Sequence, residues 1–219
     1  MTPANIVNMA KHIGLDVIAV TDHNSCRNLP AVSSYAKKNN IISMFGMELC
    51  TIEEVHVLCY FSTLENAMSF DRYVYERLIK VPNRNDIFGA QDIYNDEDLK
   101  VGEEHNLLIN ATEISFNSLD EIMRRYNGIY VPAHIDKCSN SLLSNLGFIP
   151  PESKFKCVEI NDISNVEKLY KLHSYLTGCN VITNSDAHNL GKINEPVHSM
   201  KVRERSIEAA LEALTHAQT

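Results

Sequence analysis

Histidines and carboxylates in this chain gather at the ends of apolar runs. One run ends in Thr21-Asp22-His23, a second in Gly46-Met47-Glu48 and a third in Pro132-Ala133-His134, while another is followed by Asn184-Ser185-Asp186-Ala187-His188. His56 lies inside a run of its own, just after Glu53-Glu54-Val55. The ends of buried strands are where open sheets and α/β barrels collect their reactive side chains. Imidazole and carboxylate suit zinc, manganese or iron, and a bridging carboxylate is the usual way to hold two ions about 3.5–4 Å apart. Such a pair binds phosphate oxygens and supplies hydroxide near neutral pH. A single histidine at a strand end is more often a hydrogen-bonded structural residue, but four such ends together predict a multi-metal centre. A cation at the mouth would help hold an anionic substrate. Lys137, three residues after His134, is the best placed and Arg27 the second, with a solvated surface charge as the plainer reading of Arg27.

The elements that must position these groups can be read from periodicity. Thr2-Pro3 followed by Ile6, Met9, Ala10 and Ile13 gives a capped helix with an apolar stripe, closed by Gly14. The β-branched run 16–21 predicts a strand buried on both faces, and Asn28-Leu29-Pro30 opens a second helix. Strand-like runs recur at 41–47, 55–61, 128–132, 157–160 and 180–183, mostly separated by helical stretches, which predicts α/β with a mainly parallel sheet. Ser62-x-x-Glu65, Ser118-x-x-Glu121 and Ser164-x-x-Glu167 have the spacing of capping boxes. A last amphipathic helix carries Ile207, Ala210, Leu211 and Leu214. The polar, turn-rich segment 83–110 breaks the rhythm and predicts a surface hairpin or loop insertion within a single domain spanning 1–219.

The chain's 219 residues fit one domain. Its net charge of −8 argues against a large interface with nucleic-acid phosphates or anionic lipid, so long nucleic acid and membrane are not expected as partners. No apolar run approaches a membrane span, and Met-Thr-Pro-Ala-Asn lacks the features of a secretory signal, which predicts a cytoplasmic protein. The six cysteines are scattered without a Cys-x-x-Cys pair and predict reduced, mostly buried thiols. His173 shares a helix face with Val166, Leu169 and Tyr170. Like His12, His105, His198 and His216, it is assigned no chemistry.

In order along the chain, Thr2-Pro3, the stretch Gly14-Leu15-Asp16-Val17-Ile18-Ala19-Val20-Thr21-Asp22-His23-Asn24, Gly46-Met47-Glu48, Val55-His56-Val57-Leu58, Pro132-Ala133-His134 and Ser185-Asp186-Ala187-His188 resemble the polymerase-and-histidinol-phosphatase (PHP) family of metal-dependent phosphoesterases. The resemblance implies a distorted seven-stranded β/α barrel with up to three metal ions at its mouth, and hydrolysis of a phosphate ester by metal-bound hydroxide. It implies that Glu48 bridges two ions, that His56 and His134 complete one site, that Asp186 contributes to the other, and that His23 and His188 belong to a third. Asp22 fits better as a residue orienting a ligand or a bound water. Family members begin with a strand bearing His-x-His before the Thr-Pro helix, whereas this sequence starts at that helix. The expectation is therefore a barrel missing its first strand, holding fewer than three ions, with exposed edges that invite oligomerisation. The substrate expected is a small phosphorylated metabolite or short nucleotide. A degenerate domain with a binding or regulatory role and a metal-dependent amidohydrolase are the alternatives.

Overall fold

The computed structural model describes residues 1–196 and 198–216. Thr2 caps helix α1 (Pro3–His12) by accepting a hydrogen bond from the Asn5 N–H, and Gly14, at φ 85°, turns the chain out of it. Strand β1 (Val17–Val20), helix α2 (Leu29–Lys38), and strands β2 (Ile42–Cys50) and β3 (His56–Phe61) follow. After helix α3 (Leu64–Arg77) the polar segment forms a short helix α4 (Asn85–Phe88) and a hairpin of β4 (Asp92–Tyr94) with β5 (Lys100–Glu103). Helix α5 (Leu119–Arg125), β6 (Gly128–Pro132), α6 (Leu142–Leu146), β7 (Cys157–Glu159), α7 (Val166–Leu172), β8 (Asn180–Ile182) and α8 (Ile207–Thr215) complete a mixed α/β fold.

The three spaced capping boxes do not form. Thr63 rather than Ser62 caps α3, Ser118 gives its hydroxyl to the Ser115 carbonyl, and Asp162 rather than Ser164 caps the turn that leads into α7. A 3₁₀ turn precedes both α5 and α7; α7 starts one residue past the expected position, whereas α5 starts at Leu119 as expected but with Ser118 making no side-chain cap. A reciprocal box does form between Ser141 and Ser144 at the start of α6.

The sheet differs from the expected mainly parallel arrangement in direction. Four strands lie in the order β1-β2-β3-β6, with β1 and β2 parallel but β3 antiparallel to both of its neighbours. A parallel neighbour needs a crossover of a dozen or more residues. Residues 51–55 are too few, and they close a tight turn in which the Thr51 N–H donates to the Val55 carbonyl. Strands β7 and β8 form a separate parallel pair, tied to the chain leaving β6 by a bond from the Ile135 N–H to the Glu159 carbonyl. The sheets do not close, in line with the open edges expected, and a seven-stranded barrel is not seen among the described residues. Among the described residues β1 and β8 each pair on one side, and a cavity of about 1590 Å³ opens between them, bordered by Val17, Ala19, Met44, Tyr60, Ile182 and Leu214.

Alternation along the strands divides the packing. Phe45, Met47, Leu49, Val57, Cys59 and Phe61 face α3 and α5, where Phe70, Leu119 and Met123 are fully or almost fully buried. Removing a ring such as Phe70 from that layer would cost about 3–5 kcal/mol. The opposite face carries Met44, Leu58, Tyr60, Val131 and Ala133, against which α8 lays Ala210, Leu211 and Leu214. That second face also carries the charged residues of the site.

Candidate metal centre

The reversal of β3 explains how His56 reaches the other ligand candidates. It is the first residue of its strand, yet β3 runs backwards, so its start lies at the same end of the sheet as the finish of β2 and β6. Register then fixes the side chains. Glu48 pairs with Leu58 and Cys50 with His56, which puts Glu48 and His56 on one face. His23 is placed from the other side, because the parallel ladder resumes beyond β1: the Glu48 N–H donates to the Asp22 carbonyl and the Asn24 N–H to the Glu48 carbonyl. His134 lies one residue beyond Ala133, whose N–H donates to the His56 carbonyl, so plain alternation would send its ring to the far face. Its backbone at φ 29° leaves the strand conformation and brings the ring back.

The result is a tight cluster. His56 Nδ1 lies 3.0 Å and His134 Nε2 3.3 Å from Glu48 Oε1, while His23 Nδ1 is 3.5 Å from Glu48 Oε2. One ligand atom from each of His23, Glu48 and His56 fall within 4.8 Å of one another. The Glu48, His56 and His134 side chains are 8%, 9% and 6% exposed, and His23 is 20% exposed. Burial works to raise the Glu48 carboxyl, but bonds from His134 and His56 and the nearby His23 outweigh it and hold the group well below the carboxylate range. Burial lowers His23 despite Glu48, which keeps that ring neutral and able to donate a lone pair.

Three buried ring nitrogens here, His23 Nδ1, His56 Nε2 and His134 Nδ1, have no hydrogen-bond partner within the protein. Buried polar atoms are seldom left so. Imidazoles with unsatisfied ring nitrogens around a carboxylate, three of these groups bringing a ligand atom within 4.8 Å of one another, are chemistry that fits a divalent ion.

Asp186, His188 and Lys137 form a second, more open group. Lys137 Nζ is 2.6 Å from Asp186 Oδ2, and His188 Nδ1 is 3.7 Å from Asp186 Oδ1, with the His188 side chain 69% exposed. The rings of His188 and His23 are 6.1 Å apart, which links the open group to the buried one. Asp22 stays outside the cluster: Asn28 donates to it, and burial raises its carboxyl against that bond. Arg27 is neither a solvated charge nor a free anion binder. It bonds Glu104, approaches Asp71 at 3.9 Å and stacks over Tyr75 at 4.4 Å.

Two features had no counterpart in the sequence reading. Asn24, buried at φ 47°, accepts from the Cys50 N–H and donates to the Leu108 and Asn110 carbonyls, so the loop bearing His23 is fastened to the 83–110 segment. Glu159 ends β7 as a buried carboxylate whose group is raised by burial against bonds from Asn184 and from the His134 backbone. A lone carboxylate inside the apolar run Cys157-Val158-Glu159-Ile160 is the one sequence signal that could have marked it.

A metal-dependent hydrolase fold of the PHP type accounts for this arrangement, and the PHP domain model matches residues 1–162. The chain belongs to the PHP domain family. A comparison with curated proteins gives no match. Among solved structures, the lesion-specific endonuclease PfuEndoQ from Pyrococcus furiosus superposes with a TM-score of 0.66 at 17% identity, covering 98% of this chain and 51% of that one. Endonuclease Q in complex with a 27-mer duplex carrying an abasic lesion gives 0.64 at 18% identity, with the same coverage of 98% and 51%. This chain thus spans about half of the endonuclease. An amidohydrolase from Chromobacterium violaceum with bound sulfate and no metal gives 0.61 at 14% identity over 97% of this chain and 91% of that one. A protein from Bifidobacterium adolescentis assigned as a metal-dependent phosphoesterase gives 0.57 at 16% identity, over 88% and 84%.

One expectation is overturned by these likenesses. Net charge argued against long nucleic acid as a partner, yet a protein of this fold is seen on duplex DNA with the lesion at its active site. The sum of charges over a whole chain does not describe the field at one mouth, and it is the local field that meets a phosphate. As to membranes, no helix among the described residues is long and apolar enough to cross one.

Proposed function

We propose that the protein hydrolyses a phosphate ester with a divalent ion of the zinc, manganese or iron type held by His23, Glu48, His56 and His134. The observation that carries this reading is the buried carboxylate ringed by three imidazoles, each with one buried ring nitrogen that has no hydrogen-bond partner in the protein. When bound, such an ion supplies Lewis acidity towards a phosphoryl oxygen and makes water a nucleophile near neutral pH.

The chain's own residues do the rest. Glu48 stays ionised because its imidazole neighbours outweigh its burial, so it is a ready anionic ligand. Asp186 and His188 offer a second donor pair on the open side, and a carboxylate shared between two such positions is what a two-ion site requires. Lys137, paired with Asp186, presents an ammonium at the mouth, where it binds a non-bridging phosphate oxygen and stabilises charge that grows during attack. Asp22, bonded by Asn28, orients the loop that carries His23. The substrate class is a phosphomonoester or phosphodiester, from a small phosphorylated metabolite or short nucleotide to a lesion-bearing strand, the last supported by the endonuclease likeness.

The test is turnover of p-nitrophenyl phosphate, a mononucleotide and an abasic duplex, each with and without EDTA. Hydrolysis of at least one, lost on chelation and restored by zinc or manganese, is expected. Activity that survives EDTA and metal-free dialysis overturns the reading. Amide hydrolysis is the second reading, favoured by the fold likeness to the Chromobacterium violaceum amidohydrolase. Acylated substrates cleaved faster than the phosphate esters would establish it instead.

A further inference from the structure

We infer that Glu159 is a positioning residue that holds the buried and open halves of the metal centre in register. This rests on the reading of the site as a metal centre, and it concerns a residue outside the ligand set.

Glu159 ends β7, between the two strand ends that carry ligand candidates from opposite halves. Its Oε2 accepts the His134 backbone N–H at 2.9 Å, its Oε1 accepts Asn184 Nδ2 at 2.7 Å, and its carbonyl accepts the Ile135 N–H at 2.9 Å. On the other side it pairs with Ile182 in the β7/β8 ladder, whose strand leads directly to Asn184 and on to Asp186 and His188. One side chain therefore grips both loops.

What it grips is strained. His134 sits at φ 29° and Asp186 at φ 44°, in the left-handed region that favours glycine. Such conformations persist where the surroundings over-determine them. At His134 the decisive bond is the one to Glu159 Oε2. Without it the residue can relax to extended backbone, and strand alternation then turns the ring away from Glu48. At the other loop the Asn184 bond anchors the chain two residues before Asp186. Each carboxylate oxygen is engaged by a loop N–H, and Glu159 is not among the residues whose ligand atoms converge, so its assigned role runs through His134 and Asn184.

The experiment titrates manganese or zinc into the metal-free full chain by calorimetry, for wild type, Glu159→Ala, Glu159→Gln and Asn184→Ala, and records the melting temperature of each metal-free form. Loss of an outer residue that orients a ligand costs about 10–100-fold in metal affinity, and that weakening is expected for Glu159→Ala. Gln keeps a carbonyl for the His134 N–H and, once Asn184 turns its amide over, a matching partner for Asn184. Glu159→Gln is therefore expected to bind as wild type does. Asn184→Ala is expected to weaken only the less tightly held ion. Wild-type affinity in folded Glu159→Ala, or affinity in Glu159→Gln as poor as in Glu159→Ala, overturns the inference. A purely structural role would lower the melting temperature of the variants without changing the affinity of the folded protein, which also overturns it. Should Glu159→Ala fail to fold, the Gln and Asn184 variants decide. A wild type that binds no metal brings down the reading of the site itself, whereas a wild type that binds beside an unchanged Glu159→Ala brings down this inference alone.

Discussion

The two halves of the centre are built on opposite terms. Around Glu48 the side chains are 6–9% exposed apart from His23; Glu48 and His56 project from paired strands in register, and His134 follows β6 on a left-handed residue. Around Asp186 the carboxylate is 30% and the neighbouring imidazole 69% exposed, and both lie on the loop after a three-residue strand. The buried half offers donors that hardly move, in surroundings where charges interact strongly. The open half is more solvated, and its lysine is paired with Asp186 at a partly exposed site. A rigid half suits holding an ion, and a yielding half suits admitting and releasing a substrate.

That division can be broken in several places. The largest effect is expected from Glu48→Gln, which removes the carboxylate shared by three rings. A loss on the order of 10³-fold in kcat/KM, about 4 kcal/mol, follows if the buried half holds the ion. Steady-state kinetics at saturating metal measure it, and a loss no larger than that of His188→Gln would erase the distinction. His188→Gln itself should cost about 10–100-fold, recoverable in part by excess metal because the open half can re-form around an ion.

Acid should separate the halves as well. The folded Glu48 carboxyl lies below its unfolded value of about 4.3, so its contribution to stability is present above that pH and is lost as pH falls through and below it. Acid titration of the metal-free protein should therefore lose stability below about pH 4, and Glu48→Gln should flatten that loss. An unchanged acid limb in Glu48→Gln would show that the carboxylate is not held by its neighbours. The smallest change is expected for Lys137→Met. A partly exposed ion pair contributes about 0–1 kcal/mol, so the melting temperature should barely move while KM for a phosphate ester rises. A fall in stability without a change in KM would make Lys137 structural.

Much of this was legible in the residues and some was not. The strand runs, the Thr2 cap and the gathering of His23, Glu48, His56, His134 and Asp186 follow from local patterns of burial and spacing, which a sequence carries directly. Strand direction is not local. The antiparallel course of β3 depends on the shortness of the 51–55 turn, and five residues between two apolar runs read equally as a loop or a hairpin. The capping boxes failed for local reasons the spacing does not carry: Thr63 caps α3 one residue on, the Ser118 hydroxyl bonds the Ser115 carbonyl instead, and a 3₁₀ turn capped by Asp162 shifts the start of α7. Glu159 was hidden by its setting, since its meaning comes from two loops far away in sequence.

The 51–55 turn has a consequence for how such a chain can change length over generations. Side chains on a strand alternate, so adding or deleting one residue there would slide β3 by one place and exchange its two faces. His56 would go under α3, and Val57 would be left facing Glu48. Insertions at that turn should therefore be rejected by selection even though it lies at the surface of the sheet, and natural variation in length should collect in other connections.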